Sequence, residues 1–305
     1  MSHDWGVKVV NPLTILLSVW AAMPFSFGAA IDSALTEDVT QRQAWASIAF
    51  WIVWGFVLGC LILKRPWGLT MMRVLAPAML PALFAAHFYS RISTGIFVVA
   101  LVHAAVVSLL ALLPETGNVM VDGISYGDEK RFLLRIPSAI LVGPLALVWG
   151  IVLLSASSVP ILIVSDNWRL GVPALAIGWP IAVFGCRSMH QLARRWVVFV
   201  PNGFVIHDHL ATREPFLLRR QDIISLGPAP ADADIKAEGV VDVSQFALGP
   251  VLQVTLHGEV EVVPRSRGVS EVKWAKIVLF SPTRPGAVLQ EARLRRLCLL
   301  YTSPS

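Results

Sequence analysis

Residues 95–113 read GIFVVALVHAAVVSLLALL, a run of nineteen positions that contains no Asp, Glu, Lys or Arg. An α-helix of about 20 residues, rising about 1.5 Å per residue, crosses the roughly 30 Å hydrocarbon core of a bilayer. A run this long and this apolar therefore predicts a membrane-spanning helix.

The rest of the chain also has the composition of a membrane protein. Its 305 residues are 55% apolar and only 15% charged, whereas about 25% charged residues is usual in soluble domains. Six apolar windows are long enough to span, and they run approximately over Val10–Ala30, Ala44–Leu63, Met71–Tyr89, Gly95–Leu113, Ser138–Val164 and Leu170–Cys186. We predict a transmembrane bundle of about six α-helices over residues 1–186, kinked at its internal prolines.

The positive charges predict how these helices are oriented. One set of alternate loops holds ten Lys and Arg residues, and the other set holds three. Cationic loops are retained on the cytoplasmic side, and acidic residues contribute little to this choice. We therefore expect a multi-pass protein with both termini, and the whole polar region after residue 186, in the cytoplasm.

The pattern changes after the last window. Residues 187–194 continue the sixth helix as a juxtamembrane extension, and Trp196–Val200, the turn Pro201-Asn202-Gly203 and Phe204–His207 then predict a β-hairpin, because Asn-Gly tolerates positive φ. Further short apolar runs follow, and residues 286–297 have helical composition. We predict a small β-rich domain over residues 195–297 that ends in a helix. Its expected core residues are Val198, Phe204, Ile206, Leu252, Val254 and Ile277.

A family resemblance rests on this region. The stretch RWVVFVPNGFVIHD at residues 195–208, the following FLLRRQDII at residues 216–224 and the terminal helix together resemble bacterial pleckstrin-homology-like (PH-like) domains, particularly those of uncharacterised actinobacterial membrane proteins. The resemblance covers about a third of the chain. It implies a bacterial plasma (inner) membrane location and two bent, nearly orthogonal sheets capped by the helix, with no family active site to transfer.

The junction between membrane and β-rich domain supplies the first candidate contacts. Arg187, Arg194 and Arg195 follow the sixth window, and Trp196 comes next as a candidate interfacial anchor. Each basic residue near an anionic leaflet is worth about 1 kcal/mol, so three would give about 3 kcal/mol. We expect these four residues to contact the anionic inner leaflet, although arginines here could equally serve only to enforce topology.

Two histidines lie within predicted spans. An ionisable residue at membrane depth is costly, which makes His87 and His103 candidates for a functional role such as a proton relay. No carboxylate partner is evident within the membrane. Histidines that are hydrogen-bonded and pack helices together are the favoured interpretation.

Two weaker patterns could signal chemistry. Residues 123–127, GISYG, match the G-x-S-x-G nucleophile elbow around Ser125, but an alternating α/β context is missing. His207 and His209 lie two residues apart on a strand, as two metal ligands could; a solvated turn around Asp208 is the favoured interpretation. We therefore predict no catalytic, cofactor-binding or metal-binding residue.

The last eight residues break from the basic helical pattern that ends at Leu297. Residues 298–305, CLLYTSPS, match the translated end of a transposase adapter used in sequencing libraries, so we expect a foreign tail that replaces the natural C-terminus. The two cysteines that remain lie in apolar runs, where small buried side chains are expected.

Together these features favour a non-catalytic membrane protein whose PH-like domain mediates interactions with a protein or with the membrane surface. A small-solute transporter is the alternative, and a membrane-embedded hydrolase using Ser125 ranks below it. A mild basic excess of 25 Lys and Arg over 20 Asp and Glu does not indicate nucleic acid. The protein partner is unknown, and Gly55 and Gly59 leave homo-oligomerisation open.

Overall fold

A computed structural model describes residues 11–35, 40–90, 92–164, 167–265 and 271–297. The tail at residues 298–305 lies outside this range. The chain divides into two compact units, with residues 1–119 and 151–186 in the first and residues 120–150 and 187–305 in the second. We call these the helical unit and the β unit.

Five helical stretches among the described residues are long and apolar enough to cross a membrane, namely Pro12–Ala34, Pro66–Phe88, Thr94–Leu112, Ser138–Ser158 and Trp168–Leu192. The predicted window Ala44–Leu63 also falls on a helix, Thr40–Ile62. The apolar part of that helix, Ala46–Ile62, is shorter than the other five. Five of the six windows thus coincide with span-length helices.

In the described part of the chain, four helices precede residues 95–113, namely α1 (Pro12–Ala21), α2 (Phe27–Ala34), α3 (Thr40–Ile62) and α4 (Pro66–Ser90). A short 3₁₀ turn, Met23–Phe25, separates α1 from α2. Pro24 lies within this turn and has no backbone N–H to continue a helix. The first predicted span is therefore a broken helix.

Helix α5 (Thr94–Leu112) covers all but the last residue of the apolar run at residues 95–113. It begins at Ser93, whose hydroxyl accepts a hydrogen bond from the Ile96 amide at 3.4 Å. Its buried positions are mostly small and fall on one side of the helix: Ala100, Ala104, Val107, Ser108 and Ala111. Bulky residues such as Val99 and Leu109 are more than half exposed. Small residues inside and large apolar residues outside are the arrangement of a helix that packs closely in lipid.

The later helices are α6 (Pro114–Asp122), α7 (Ser138–Ile140), α8 (Ala146–Val164), α9 (Trp168–Pro173) and α10 (Trp179–Leu192). A π-helical turn, Leu141–Leu145, joins α7 to α8 and contains Pro144. A second one, Ala174–Gly178, joins α9 to α10 directly after Pro173. Widened turns of this kind accommodate a proline that cannot make the regular helical hydrogen bond. The expected proline distortions are therefore π turns in these two spans.

The β unit contains two four-stranded sheets. The first has the order β1 (Lys130–Leu133), β2 (Trp196–Val200), β3 (Gly203–His207), β4 (Phe216–Arg219), and all its pairs are antiparallel. The second contains β5 (Ile223–Pro228), β6 (Val240–Asp242), β7 (Leu252–Val262) and β8 (Lys273–Phe280) in the order β5-β7-β8-β6, with β6 parallel to β8. Helix α11 (Pro285–Leu294) follows.

Strand β1 is the main difference from the sequence-based division. It comes from the connection between α6 and α7, which the sequence assigned to the transmembrane domain 1–186. Leu133 pairs with Trp196 and Lys130 pairs with Phe199, so β1 forms one edge of the first sheet. The β unit is therefore larger than residues 195–297, because a segment between two spans completes it.

The predicted hairpin is confirmed. Strands β2 and β3 pair antiparallel from Trp196 opposite His207 to Val200 opposite Gly203. Gly203 has φ of +145°, and a Cβ there would lie 2.0 Å from the Leu218 carbonyl oxygen. Only glycine fits this turn, since neither the backbone angle nor the space admits a side chain.

The core of the β unit lies between the sheets and α11. Four of the six expected residues belong to it: Phe204, Ile206, Leu252 and Val254. Val198 is buried but lies outside this cluster, and Ile277 is only partly buried. Their neighbours Val197, Phe199, Ala275 and Val278 belong to the cluster. Side chains alternate along a strand, and an all-apolar run such as Trp196–Val200 has no polar residue to reveal which alternate set points inward.

Helix α11 ends in a complete Schellman motif. The Arg296 amide donates to the Arg293 carbonyl and the Leu297 amide donates to the Ala292 carbonyl, both at 2.9 Å. Arg296 adopts φ of +53° to close the motif, and Leu297 is buried in the core. The helix therefore terminates within residues 285–297.

Candidate functional site

The four residues predicted to contact lipid headgroups do not share one environment. Arg187 and Arg194 are exposed, and Trp196 is half-buried. Arg195 is completely buried, with no measurable exposure. The expectation that Arg195 contacts the membrane surface therefore fails, and two exposed arginines remain.

Arg195 is buried because it pairs with Asp208. The Arg195 Nε lies 2.7 Å from Asp208 Oδ1, and Nη2 lies 2.6 Å from Oδ2, so the contact is bidentate. The Arg195 Nη1 also donates to the Arg135 carbonyl at 2.8 Å. Asp208 Oδ1 accepts further hydrogen bonds from the Leu210 and Ala211 amides. This Arg195–Asp208 pair joins the end of β1, the start of β2 and the end of β3.

The same pair corrects the interpretation of His207-Asp208-His209 as a solvated turn. Asp208 is only 1% exposed, and both of its oxygens bind Arg195. The sequence could have suggested this pairing, because Arg195 and Asp208 directly flank the predicted hairpin on opposite strands. A buried pair of this kind is maintained because either charge alone would remain buried without its counterion.

The Trp196 side chain contacts two neighbouring side chains, those of His207 and Arg131. Its ring stacks on His207 with centroids 5.1 Å apart and an interplanar angle of 13°. The Arg131 guanidinium lies 5.5 Å from the indole centroid, within cation–π range. Burial, followed by the charge of Arg194, lowers the pKa of His207 below its ordinary value of 6.5. Burial and the neighbouring arginine charge therefore favour the neutral imidazole in this stack.

The described residues contain no group of three or more His, Cys, Asp or Glu side chains that could hold a metal ion. His207 and Asp208 have the partners given above. Burial is also the main cause that lowers the pKa of His209.

Ser125 lies in a turn between α6 and β1. Its hydroxyl donates to Asp122 Oδ1 at 3.1 Å. The same oxygen accepts the Arg131 amide at 2.9 Å, and Asp122 Oδ2 binds Lys130 Nζ at 2.6 Å. Residues 123–127 form turns rather than the strand-to-helix elbow that a nucleophilic serine requires. Asp122 and Ser125 instead hold the connection that leads into β1.

His103 lies against the break in the first span. Its Nε2 is 2.7 Å from the Val19 carbonyl, and its Nδ1 is 2.6 Å from Ser26 Oγ. A carbonyl only accepts, so Nε2 carries a proton and Nδ1 can accept from the serine hydroxyl. Ser26 Oγ also lies 3.3 Å from the Met23 carbonyl. The Ser26 hydroxyl therefore lies within hydrogen-bond distance of two acceptors, the His103 Nδ1 and the Met23 carbonyl.

Trp54 satisfies the next free carbonyl at the break. Its indole N–H donates to the Trp20 carbonyl at 2.9 Å, and the Trp20 indole donates in return to the Trp54 carbonyl at 3.1 Å. The last carbonyls of a helix have no partner within it, and water is absent from the hydrocarbon core. His103 and Trp54 together supply the donors that the end of α1 requires. No sequence signal links these residues to Val19 and Trp20.

His87 has a different setting near the end of α4. Its Nδ1 lies 3.2 Å from the Ile92 carbonyl, and the ring stacks on Phe97 at 4.3 Å between centroids. These contacts connect α4 to the turn before α5. His87 and His103 therefore belong to separate contacts with different partners.

Two clefts adjoin the broken span. The larger, of about 420 Å³, is lined by Ser18, Val19, Ala22, His103 and Val106. The smaller, of about 150 Å³, is lined by Pro24, Gly28, Ile31, Ser47, Phe50 and Trp51. The break thus places His103 beside a shallow, open cleft on the surface of the helical unit.

Comparison with known proteins gives no relative from which a role could be transferred. No protein-family model, curated protein or solved structure matches the chain.

Proposed function

We propose that this is a non-catalytic, multi-pass protein of the bacterial plasma membrane. Its β unit is a cytoplasmic PH-like interaction module that binds a protein partner or the anionic inner leaflet. Two four-stranded sheets with a terminal helix agree with the element order that the PH-like resemblance implies. The cytoplasmic orientation rests on the ten-to-three distribution of Lys and Arg between alternate loops.

The pairing of β1 with β2 is the observation that carries this proposal. The segment between two spans and the segment after the last span form one sheet, so both must lie on the same side of the membrane. The Arg195–Asp208 pair fixes the base of that sheet through hydrogen bonds to β1 and to the residues after β3. The β unit is thus joined to the spans by three chain connections. Attachment through three connections suits a domain that stays at the membrane better than a domain that moves on one flexible linker.

The charge at the junction agrees with a domain that stays at the membrane. Arg187 and Arg194 are exposed, and each is worth about 1 kcal/mol near an anionic leaflet. Their sum of about 2 kcal/mol is enough to orient a domain that is already attached to the membrane.

The test uses the full-length protein in its own membrane. A photo-crosslinking residue replaces Leu217, which is exposed on edge strand β4, and crosslinked adducts are identified by mass spectrometry. We expect one reproducible adduct, and we expect Asp208→Asn, which disrupts the β unit, to abolish it. The absence of an adduct at Leu217 and at other exposed β-unit positions would contradict an interaction module.

The broken first span favours a second candidate, a small-solute transporter. Discontinuous spans with a polar side chain at the break are a feature of transporter binding sites. Here His103 lies beside a shallow, open cleft and joins the two sides of the break, from the Val19 carbonyl to the Ser26 hydroxyl.

Uptake by proteoliposomes tests this alternative with two variants. His103→Gln keeps a donor for Val19 and an acceptor for Ser26 but cannot relay a proton, whereas His103→Ala also loses the contacts. A proton-coupled transporter would lose uptake in both variants. If His103 serves only to hold the break, the Gln variant will match the wild type in stability.

A further inference from the structure

A loop between β6 and β7 displays two large apolar side chains. Phe246 is 68% exposed and Leu248 is 58% exposed. The residues around them are anchored, since Ser244 and Ala247 are buried. The Ser244 amide also donates to Asp242 Oδ1 at 2.8 Å. The loop is therefore a formed structure that directs an aromatic and an aliphatic side chain outward.

The backbone of this loop is strained. Gln245 and Phe246 have φ of +51° and +56°, although neither is glycine. At positive φ, the Cβ of any residue other than glycine clashes with the backbone. Two consecutive non-glycine residues with positive φ therefore persist only when other contacts impose this conformation. One such contact is the hydrogen bond from Gln245 Nε2 to the Leu210 carbonyl at 2.8 Å. Strain combined with exposure of Phe246 points to a role for the tip itself.

The loop lies next to the start of one membrane span. The Arg135 Nη1 donates to the Leu248 carbonyl at 2.8 Å, and Gly249, at φ of +116°, leaves room for the guanidinium. Arg135 is three residues before Ser138, where the span Ser138–Ser158 begins. Three residues reach at most about 10 Å.

A second set of contacts connects the loop to the end of the last span, Trp168–Leu192. Leu210, which accepts the Gln245 side chain, donates its amide to Asp208, and Asp208 binds Arg195. Arg195 is three residues after Leu192, where the span Trp168–Leu192 ends. Two of the three chain connections between the β unit and the spans therefore flank the same loop.

We propose that Phe246 and Leu248 insert into the headgroup and upper acyl region of the bilayer. Amphipathic and apolar side chains at this depth remove their surface from water, as interfacial aromatic residues do. This lipid contact deepens the proposed membrane-surface role and assigns it to residues other than the junction arginines. It explains why an exposed aromatic tip is held in a strained loop that contacts two of the chain connections to the spans.

Spin labelling of the full-length protein in lipid nanodiscs tests the proposal. The three cysteines are replaced by alanine, and a nitroxide is attached to Phe246→Cys or, separately, to Leu248→Cys. The control is Asn202→Cys, an exposed site in the β2–β3 turn about 20 Å along β2 from the membrane end. Collisions with oxygen, which is enriched in lipid, are compared with collisions with a water-soluble nickel chelate.

We expect oxygen collisions to dominate at positions 246 and 248, and nickel collisions to dominate at position 202. Nickel collisions at 246 and 248 equal to those at 202 would overturn the lipid contact. Labels that are immobilised in native membranes but exposed to nickel in nanodiscs would also overturn it and would identify a protein as the occupant. Crosslinking at Leu217 is measured separately, so the interaction module can stand when the lipid contact fails.

Discussion

Strand β1 makes a strong prediction, because the β unit should not fold from residues 195–297 alone. The perturbation is removal of Lys130–Leu133 and the residues beside it. We compare the fragment 195–297 with a fusion of residues 128–136 to residues 194–297 through a four-residue Gly/Asn linker. The Leu134 amide lies 2.9 Å from the Arg195 carbonyl. A short hairpin loop can therefore replace residues 137–193.

The size of the effect follows from burial. Phe132 is 5% exposed and Leu134 is 2% exposed, and both belong to the core. Truncation of a buried Phe costs about 3–5 kcal/mol and of a buried Leu about 2–5 kcal/mol, so the pair is worth roughly 5–10 kcal/mol. Arg195 Nη1 would also lose its acceptor, the Arg135 carbonyl, at a cost of about 1–3 kcal/mol. Domains are stable by only about 5–15 kcal/mol.

We therefore expect the fusion to unfold cooperatively in urea and the fragment 195–297 to be unfolded or aggregated without denaturant. Circular dichroism and size-exclusion chromatography measure both states. A matched control, the fusion with Phe132→Ala, should lose about 3–5 kcal/mol while keeping the strand. Equal urea midpoints for the fragment and the fusion would refute the assigned role of β1.

Three further predictions concern the fused β unit. Arg296→Gly should raise the free energy of unfolding by about 1 kcal/mol, because glycine adopts the φ of +53° without the Cβ clash; an unchanged urea midpoint would contradict this. Asp208→Asn should cost about 3–5 kcal/mol by leaving Arg195 buried and unpaired, whereas the double variant Arg195→Met/Asp208→Leu should cost less, and the reverse order of urea midpoints would rule this out. The pKa of His207 is lowered from 6.5, mainly by burial, so the unfolded state binds the proton more readily and stability should fall as pH drops below about 6.5. His207→Phe should therefore make the thermal midpoint less dependent on pH between about 8 and 5. An unaltered dependence would show that His207 is not the group responsible.

The sequence was informative where a signal is local. Apolar windows identified the spans, since length and composition alone determine whether a helix suits a bilayer. Asn202-Gly203 identified the hairpin because one turn requires that chemistry. Core positions were assigned correctly in β3. In β2, where every neighbouring side chain is apolar, the expected Val198 is buried, but Val197 and Phe199 form the main core cluster.

Contacts distant in sequence were not predictable in this way. Strand β1 is four residues long and follows a polar loop, so nothing near it indicates a partner beyond two spans. His103 finds Ser26 at a separation of 77 residues, and only the helix packing brings them together. The pairing of Arg195 with Asp208 was within reach, because the hairpin register places the residues that flank it side by side.

The shared sheet also has a consequence for biogenesis. Leu133 and Trp196 are separated by 62 residues, residues 134–195, which include the last two spans. During synthesis β1 must wait, unpaired, until both spans have been made and β2 has left the ribosome. If either span failed to insert, or inserted the wrong way, β1 and β2 would be left on opposite sides of the membrane and the sheet could not close. Closure of the sheet thus depends on both spans having crossed the membrane.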